Sequence, residues 1–202
     1  APVIAGNLVV VGGRIPDNMR ITAPAGVVRA FDAISGKQVW AWNPLPPGMT
    51  DAQAAPKGET YVRATPNVWA PMTYDPLTDA VIVPTGNAAP DFYGVDRKGL
   101  DYFSSSVVAL DAKTGAVRWR FQTVHHDIWD YDVPAQPVLF DMPSPAGPVP
   151  AVAQATKQGH IFILDRRTGK PLVPVNEMPV PQAGALPGEH LSPTQPVPAN
   201  PA

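Results

Sequence analysis

Cysteine is absent from the 202 residues, which excludes disulfide frameworks and thiolate metal sites and leaves the compartment open. Charge is sparse: 16% of residues are charged, and the formal net charge is −2. With no basic run, neither nucleic acid nor an anionic lipid surface is expected as a partner. No stretch of about eighteen apolar residues could cross a bilayer. Nor does any window keep a helical period over three turns. Hydrophobic residues still make up 45% of the chain, enough for a core and too many for a disordered segment. The opening "APVIAGNLVVVGG" starts inside a β pattern and carries no signal peptide, so a piece of a longer protein is expected.

What is abundant is proline, with 27 residues where about 5% is ordinary. Many lie in "PLVPVNEMPVPQAGALPGEHLSPTQPVPANPA". Proline fixes φ and removes a ladder donor, so residues 176–202 are expected to form an irregular surface strap. The rest reads as strands. "NLVVVGG", "GVVRAFDA", "DAVIVPTG", "SSVVALDA", "GAVRWRFQ" and "HIFILDRR" are short, rich in Val, Ile and aromatics, and bounded by Gly, Asn or Pro. The class is all-β.

A repeat runs through these strands. "VVRAFDAISGKQVW" (27–40), "VVALDAKTGAVRW" (107–119) and "IFILDRRTGKPLV" (161–173) share an apolar strand, an Asp, two variable residues, Ser/Thr-Gly and a second strand. Asp and Gly at those offsets suit a hairpin whose turn needs φ > 0 at glycine. The aspartates at 32, 111 and 165 are 79 and 54 residues apart, blade-like spacings if a long loop sits in the first gap. Such units stack as a β-propeller of about three four-stranded antiparallel blades. The expected division is a partial blade over 1–45, a blade over 60–123 preceded by a long inserted loop, a blade over 133–175, and the tail. A closed ring needs more blades, so the chain is expected to be an arc. Trp40 and Trp119 hold equivalent hairpin positions and read as docking residues between blades.

Four places could carry chemistry. Trp69 in "PNVWAPMTYDP" lies outside the hairpin template; it could be core, could dock on the next blade, or could be the floor under a flat ligand. Asn87 in "VPTGNAAPDFYG" offers an amide oxygen suited to Ca²⁺ but not to zinc, or it stabilises a turn. In "VHHDIWDYDVPAQP" (124–137), His125, His126 and Asp127 resemble part of a zinc site, but adjacent strand residues face opposite ways and no further ligands complete a set. Asp130 and Asp132 are two apart and share a face if extended; each is a base, a metal-bound carboxylate or a solvated acid. Lys157, just before a strand, is either a surface lysine or a donor to an anionic or carbonyl oxygen.

Taken together, "NVWAPMTYDP", "VPTGNAAPD", "QTVHHDIWDYDVPAQP" and "ATKQGHIFILDRRTGK" resemble the pyrroloquinoline-quinone (PQQ)-dependent dehydrogenases. Closest is the membrane-bound glucose dehydrogenase branch, with its quinate/shikimate and polyol enzymes. The resemblance runs from "GGRIPDN" to the tail. It implies an eight-bladed ring, of which this is roughly the middle third. It also implies PQQ with Ca²⁺ (or Mg²⁺), a sugar or polyol substrate (glucose to gluconolactone first, quinate or shikimate as the alternative), and ubiquinone as electron acceptor. The place implied is the periplasmic face of the bacterial inner membrane. Trp69 corresponds to the indole under the quinone, Asp130 to the catalytic base, and Lys157 to the basic residue at the quinone oxygens. Asn87 stands where alcohol-oxidising relatives carry an amide ligand to the metal, and Asp17 and Asn18 match a pair near the metal in the glucose branch. The metal set implied is therefore Asp130, Asn87, Asp17 and Asn18. That branch carries a hydroxyl residue near position 89, where this chain has Ala89. The missing cysteines fit the glucose branch, which does without the vicinal disulfide of soluble alcohol-oxidising relatives. The rival readings are a non-catalytic propeller scaffold, which keeps the hairpins but does not need the four site residues, and a metallohydrolase, which lacks ligands.

Overall fold

The computed structural model describes residues 1–18, 23–50 and 64–199. The expected loop before the second blade falls largely on 51–63, outside the described residues. Among the described residues there is no α-helix, only two 3₁₀ turns, Gly94–Asp96 and Leu100–Phe103. Thirteen strands form four separate antiparallel sheets. The first contains β1 (Val3–Ala5), β2 (Leu8–Val11), β3 (Val28–Asp32) and β4 (Gln38–Trp42), in sequence order. The second contains β5 (Thr73–Asp75), β6 (Ala80–Pro84), β7 (Ser106–Asp111) and β8 (Val117–Gln122), again in order. The third has β9 (Val138–Met142), β10 (Val149–Ala155) and β11 (Ile161–Asp165), with an isolated bridge Leu164↔Pro171 where a fourth strand would run. The order within each sheet is that of a propeller blade, and the three repeated hairpins fall in three different sheets.

The apolar runs without alternation are the inner strands. In β6 every residue is buried, and in β7 all but the last, because the second sheet is covered on both faces. Val81, Val83, Val108 and Leu110 pack toward the first sheet's Val10, Val28 and Ala30. Ile82, Val107 and Ala109 pack toward Val152, Phe162 and Leu164 of the third. Side chains on alternate positions thus serve two neighbours.

The hairpin turns show why Asp and Gly recur. Asp111 Oδ1 accepts from the backbone N–H of Lys113 (3.0 Å) and Thr114 (2.9 Å), and from the Thr114 hydroxyl (2.9 Å). Asp32 does the same with Ile34 and Ser35. The glycine N–H returns to the Asp carbonyl at 2.8–2.9 Å in all three turns, with φ of 69° at Gly36, 72° at Gly115 and 71° at Gly169.

The glycines have a second duty. A Cβ on Gly115 would stand 2.6 Å from the Trp40 ring, and one on Gly169 would stand 2.6 Å from that of Trp119. Each indole N–H then donates across the sheet gap, Trp40 to Ala112 O (2.9 Å) and Trp119 to Arg166 O (3.1 Å). The tryptophan of one blade seals onto the turn of the next. The chain has Val173 where the third tryptophan would stand.

The tail departs from expectation. β12 (Val175–Pro179) and β13 (Thr194–Pro198) pair as a two-stranded ribbon rather than running irregularly. The prolines permit this by their parity. Pro179, Pro196 and Pro198 fall in the pairs Pro179↔Thr194, Glu177↔Pro196 and Val175↔Pro198, which alternate with the hydrogen-bonded pairs, so each missing N–H would point outward.

Candidate functional site

The loop after β8 builds the site. Asp127 is fully buried, and its carboxylate accepts from the N–H of Trp129 (2.9 Å) and Tyr131 (2.8 Å) and from Ser105 Oγ (2.6 Å). This knot holds Asp130 at φ 60°, the left-handed region, which Asp enters at modest cost and which clusters at functional sites. The segment is therefore not the extended run on which a shared face would depend, yet Asp130 and Asp132 both face one cavity of about 330 Å³. Its other walls are Arg14, Asp17, Asn18, Trp69 and Asp91.

Asp132 is the most heavily engaged of these acids, although the family resemblance assigns it no role. Its Oδ1 accepts from the Asn87 backbone N–H at 2.5 Å, and its Oδ2 accepts from Trp69 Nε1 at 3.0 Å and lies 3.4 Å from Lys157 Nζ. Lys157 Nζ also donates to the Asp130 carbonyl (2.6 Å) and lies 3.3 Å from Asp130 Oδ1. One lysine therefore clamps both acids, and Asp132 fixes the edge of the indole of Trp69, a residue 37% exposed. Asp17 accepts from the amide of Asn67, a buried residue overlooked in the sequence.

Electrostatically the cavity is overloaded with negative charge. Burial raises the pKa of Asp132 despite the Asn87 N–H and Lys157. Burial likewise raises Asp17, with Asp132 and Asp130 adding to it. Asp91 is pushed up to about 7, by burial and then by Asp17, Asp130 and Asp132. For Lys157 burial works against the charge, but Asp132 and Asp130 outweigh it and raise the pKa.

Asn87, expected as a metal ligand, is fully buried and not among the residues that line the cavity. Its side-chain oxygen accepts from Ser104 Oγ (2.7 Å) and Ala88 N (2.8 Å), and its amide donates to the carbonyls of Asp91 (3.1 Å) and Asp127 (2.9 Å). A fully buried amide must satisfy itself locally, and Asn87 does so beside the cavity rather than in it. Trp69, Asp17, Asn18 and Asp130 line the cavity, and Lys157 reaches it through the two acids.

His125 and His126 serve the tail. His125 exchanges two backbone bonds with the Gln195 side chain (2.8 and 2.7 Å) and lies 3.1 Å from Glu177. His126 Nε2 meets Glu189 at 2.7 Å, and its Nδ1 lies 3.6 Å from Asp101. Among the described residues no three His, Asp or Glu groups already converge as a ready metal site. The bond to Asp101, and then that to Glu189 acting against burial, raise the His126 pKa above 6.5. The stabilisation from a charged His126 is therefore complete below pH 6.5 and lost as pH rises through the raised value. Hydrogen exchange at 188–190, corrected for intrinsic rate, should accelerate across that rise, and His126→Gln should abolish the step. A pH-independent rate in the unsubstituted protein would contradict the clamp.

Over residues 1–202 the chain matches the family described as PQQ: Glucose/ethanol/alcohol dehydrogenase, beta-propeller domain. It is 51% identical over 198 residues to the glycerol dehydrogenase large subunit of Gluconobacter thailandicus, covering 96% of this chain and 26% of that protein. To quinoprotein glucose dehydrogenase A of Acinetobacter calcoaceticus it is 45% identical over 201 residues, covering 96% and 25%. The chain thus spans about a quarter of the length of these relatives. In three dimensions it resembles the quinohemoprotein alcohol dehydrogenase of Comamonas testosteroni with a TM-score of 0.71 at 24% identity, over 98% of this chain and 31% of that one, a likeness of fold. With a family match spanning residues 1–202, and with blades docked through Trp40 and Trp119, the chain belongs to the PQQ dehydrogenase β-propeller family.

Proposed function

We propose that the full-length protein is a PQQ-dependent dehydrogenase that oxidises a hydroxyl of a polyol or sugar, with Asp130 as base. The observation that carries this is the meeting of Asp130, Asp132, Lys157 and Trp69 at one cavity. A scaffold propeller would need the hairpins and the docking tryptophans but not a clamped pair of acids beside an exposed indole.

The residues present fit the groups the family implies. PQQ is flat and carries carboxylates; Trp69 offers a flat face, and Arg14 and Lys157 offer positive charge. A hard divalent cation, Ca²⁺ or Mg²⁺, suits a cavity of carboxylate oxygens, one of which, Asp91 Oδ1, is buried without a partner. When bound, the quinone supplies the hydride acceptor and the cation polarises its carbonyl. Asp130, the more exposed acid, takes the proton from the substrate hydroxyl. Lys157 holds that carboxylate in place and donates toward an oxygen acceptor in the cavity. Trp69 cannot rotate while Asp132 holds its N–H, so the floor stays in register. Asp17 and Asn18 close the side from which a cation would be held.

The substrate class is a polyhydroxy compound, since relatives named for glycerol and for glucose share 51% and 45% of positions with this chain. Glucose to gluconolactone is one such reaction and quinate or shikimate oxidation an alternative. Electrons would pass to ubiquinone at the periplasmic face of the inner membrane, through parts of the protein outside this chain. Trp69→Ala in the full-length apoprotein should raise the PQQ concentration for half-saturation at least about tenfold, because a stacked face is lost. Unaltered PQQ binding would remove Trp69 from the site.

A further inference from the structure

Of the four carboxylates that line the cavity, three have partners. Asp132 is bonded through both oxygens, Asp17 accepts from Asn67, and Asp130 faces Lys157. Asp91 has none: it is 3% exposed, and its Oδ1 is buried without a hydrogen bond. Its backbone, by contrast, is held hard. The Asp91 carbonyl accepts from Arg97 Nη2 (2.8 Å) and Asn87 Nδ2 (3.1 Å), and Arg97 is itself fully buried, bonded also to Pro90 O and Asp101. Two buried donors therefore aim a carboxylate at a cavity in which nothing of the protein meets it. A buried acid without a donor is costly. Rigid support behind an empty-handed oxygen is the arrangement of a ligand residue backed by its orienting partners.

We propose that Asp91 is a direct carboxylate ligand of the divalent cation in this cavity, and that Asn87, expected in that role, instead orients Asp91 from behind. The cation is a hard, oxygen-seeking one, and Asp17 and Asp130, which line the same cavity, would share it. The inference rests on the reading of the cavity as a cation-dependent PQQ site, and its test separates the two.

The test is calorimetric titration of Ca²⁺ into the full-length, chelator-stripped protein with PQQ present. Asp91→Asn keeps the shape and removes the charge, and should weaken Ca²⁺ at least about tenfold, since affinity follows ligand charge. Asp91→Glu should retain more affinity than Asp91→Asn. Asp141→Asn, on an exposed strand edge, should bind as the unsubstituted protein does. In chelator, Asp91→Asn should melt higher than the unsubstituted protein, because a buried unpartnered acid is gone, and it should gain less from added Ca²⁺. Equal affinity in Asp91→Asn and the unsubstituted protein overturns the role of Asp91 and leaves the PQQ reading standing. No Ca²⁺ binding by the unsubstituted protein overturns both. If Asp91→Asn does not fold, Asp91→Glu carries the test: affinity unchanged by that lengthening would contradict direct ligation.

Discussion

Asp130→Asn in the full-length protein is expected to lower kcat by at least about 10²-fold while the PQQ requirement stays the same. General-base catalysis contributes about 10² to 10⁴-fold, and asparagine keeps the shape of the carboxylate without its basicity. Asp132→Asn should fail differently. The amide can accept from either the Asn87 N–H or the Trp69 N–H, but it presents an NH₂ on its other side. Lys157 then loses one of its two acids, and one of the two N–H groups, that of Asn87 or that of Trp69, loses its acceptor, so the support of the indole is weakened. The consequence is weaker PQQ binding and a lower unfolding midpoint, with any loss of turnover following from cofactor loss. Saturating PQQ should therefore rescue Asp132→Asn and leave Asp130→Asn impaired. The reverse pattern would exchange the two roles, and full turnover in both variants would make the loop structural.

The second large effect is on stability. Trp40→Ala and Trp119→Ala each remove a buried indole between blades and leave a carbonyl, Ala112 O or Arg166 O, without its donor. Loss of a buried tryptophan costs about 3–5 kcal/mol, and the orphaned acceptor adds to it. Urea unfolding of the full-length protein should show the loss as an earlier transition. Gly115→Ala and Gly169→Ala should destabilise in the same direction for two reasons, the φ of 72° or 71° and the 2.6 Å approach of the docked ring. Wild-type midpoints in the two tryptophan variants would contradict docking as the source of blade cohesion.

The hairpins could be read from the chain because their chemistry is local. Asp111 bonds the backbone two and three residues on, and the glycine bonds back to Asp111, so a five-residue string carries the turn. The tryptophan four residues past Gly36 and Gly115 is visible for the same reason. Proline content does not reveal the tail ribbon: Pro179 on one strand and Pro196 and Pro198 on the other all sit where an N–H would point away from the partner strand, which only the register shows. Motif resemblance named Trp69, Asp130 and Lys157, which the structure brings together around Asp132. It also named Asn87, whose amide is engaged by Ser104, Asp91 and Asp127, residues from three other points of the chain. It passed over Asp132 and Asp91 because their standing depends on who reaches them: Asp132 is reached from Asn87, Trp69 and Lys157, and the Asp91 carboxylate from nowhere. Long-range partners of that kind leave no periodicity in a sequence.

The most direct test of the account is reconstitution of the full-length apoprotein with PQQ and Ca²⁺, followed by artificial-acceptor reduction with glycerol, glucose and quinate in turn. The account predicts turnover with at least one polyhydroxy substrate, dependent on added PQQ and lowered at least about 10²-fold by Asp130→Asn. Reduction without PQQ, or none in a reconstituted protein that binds PQQ, would contradict it.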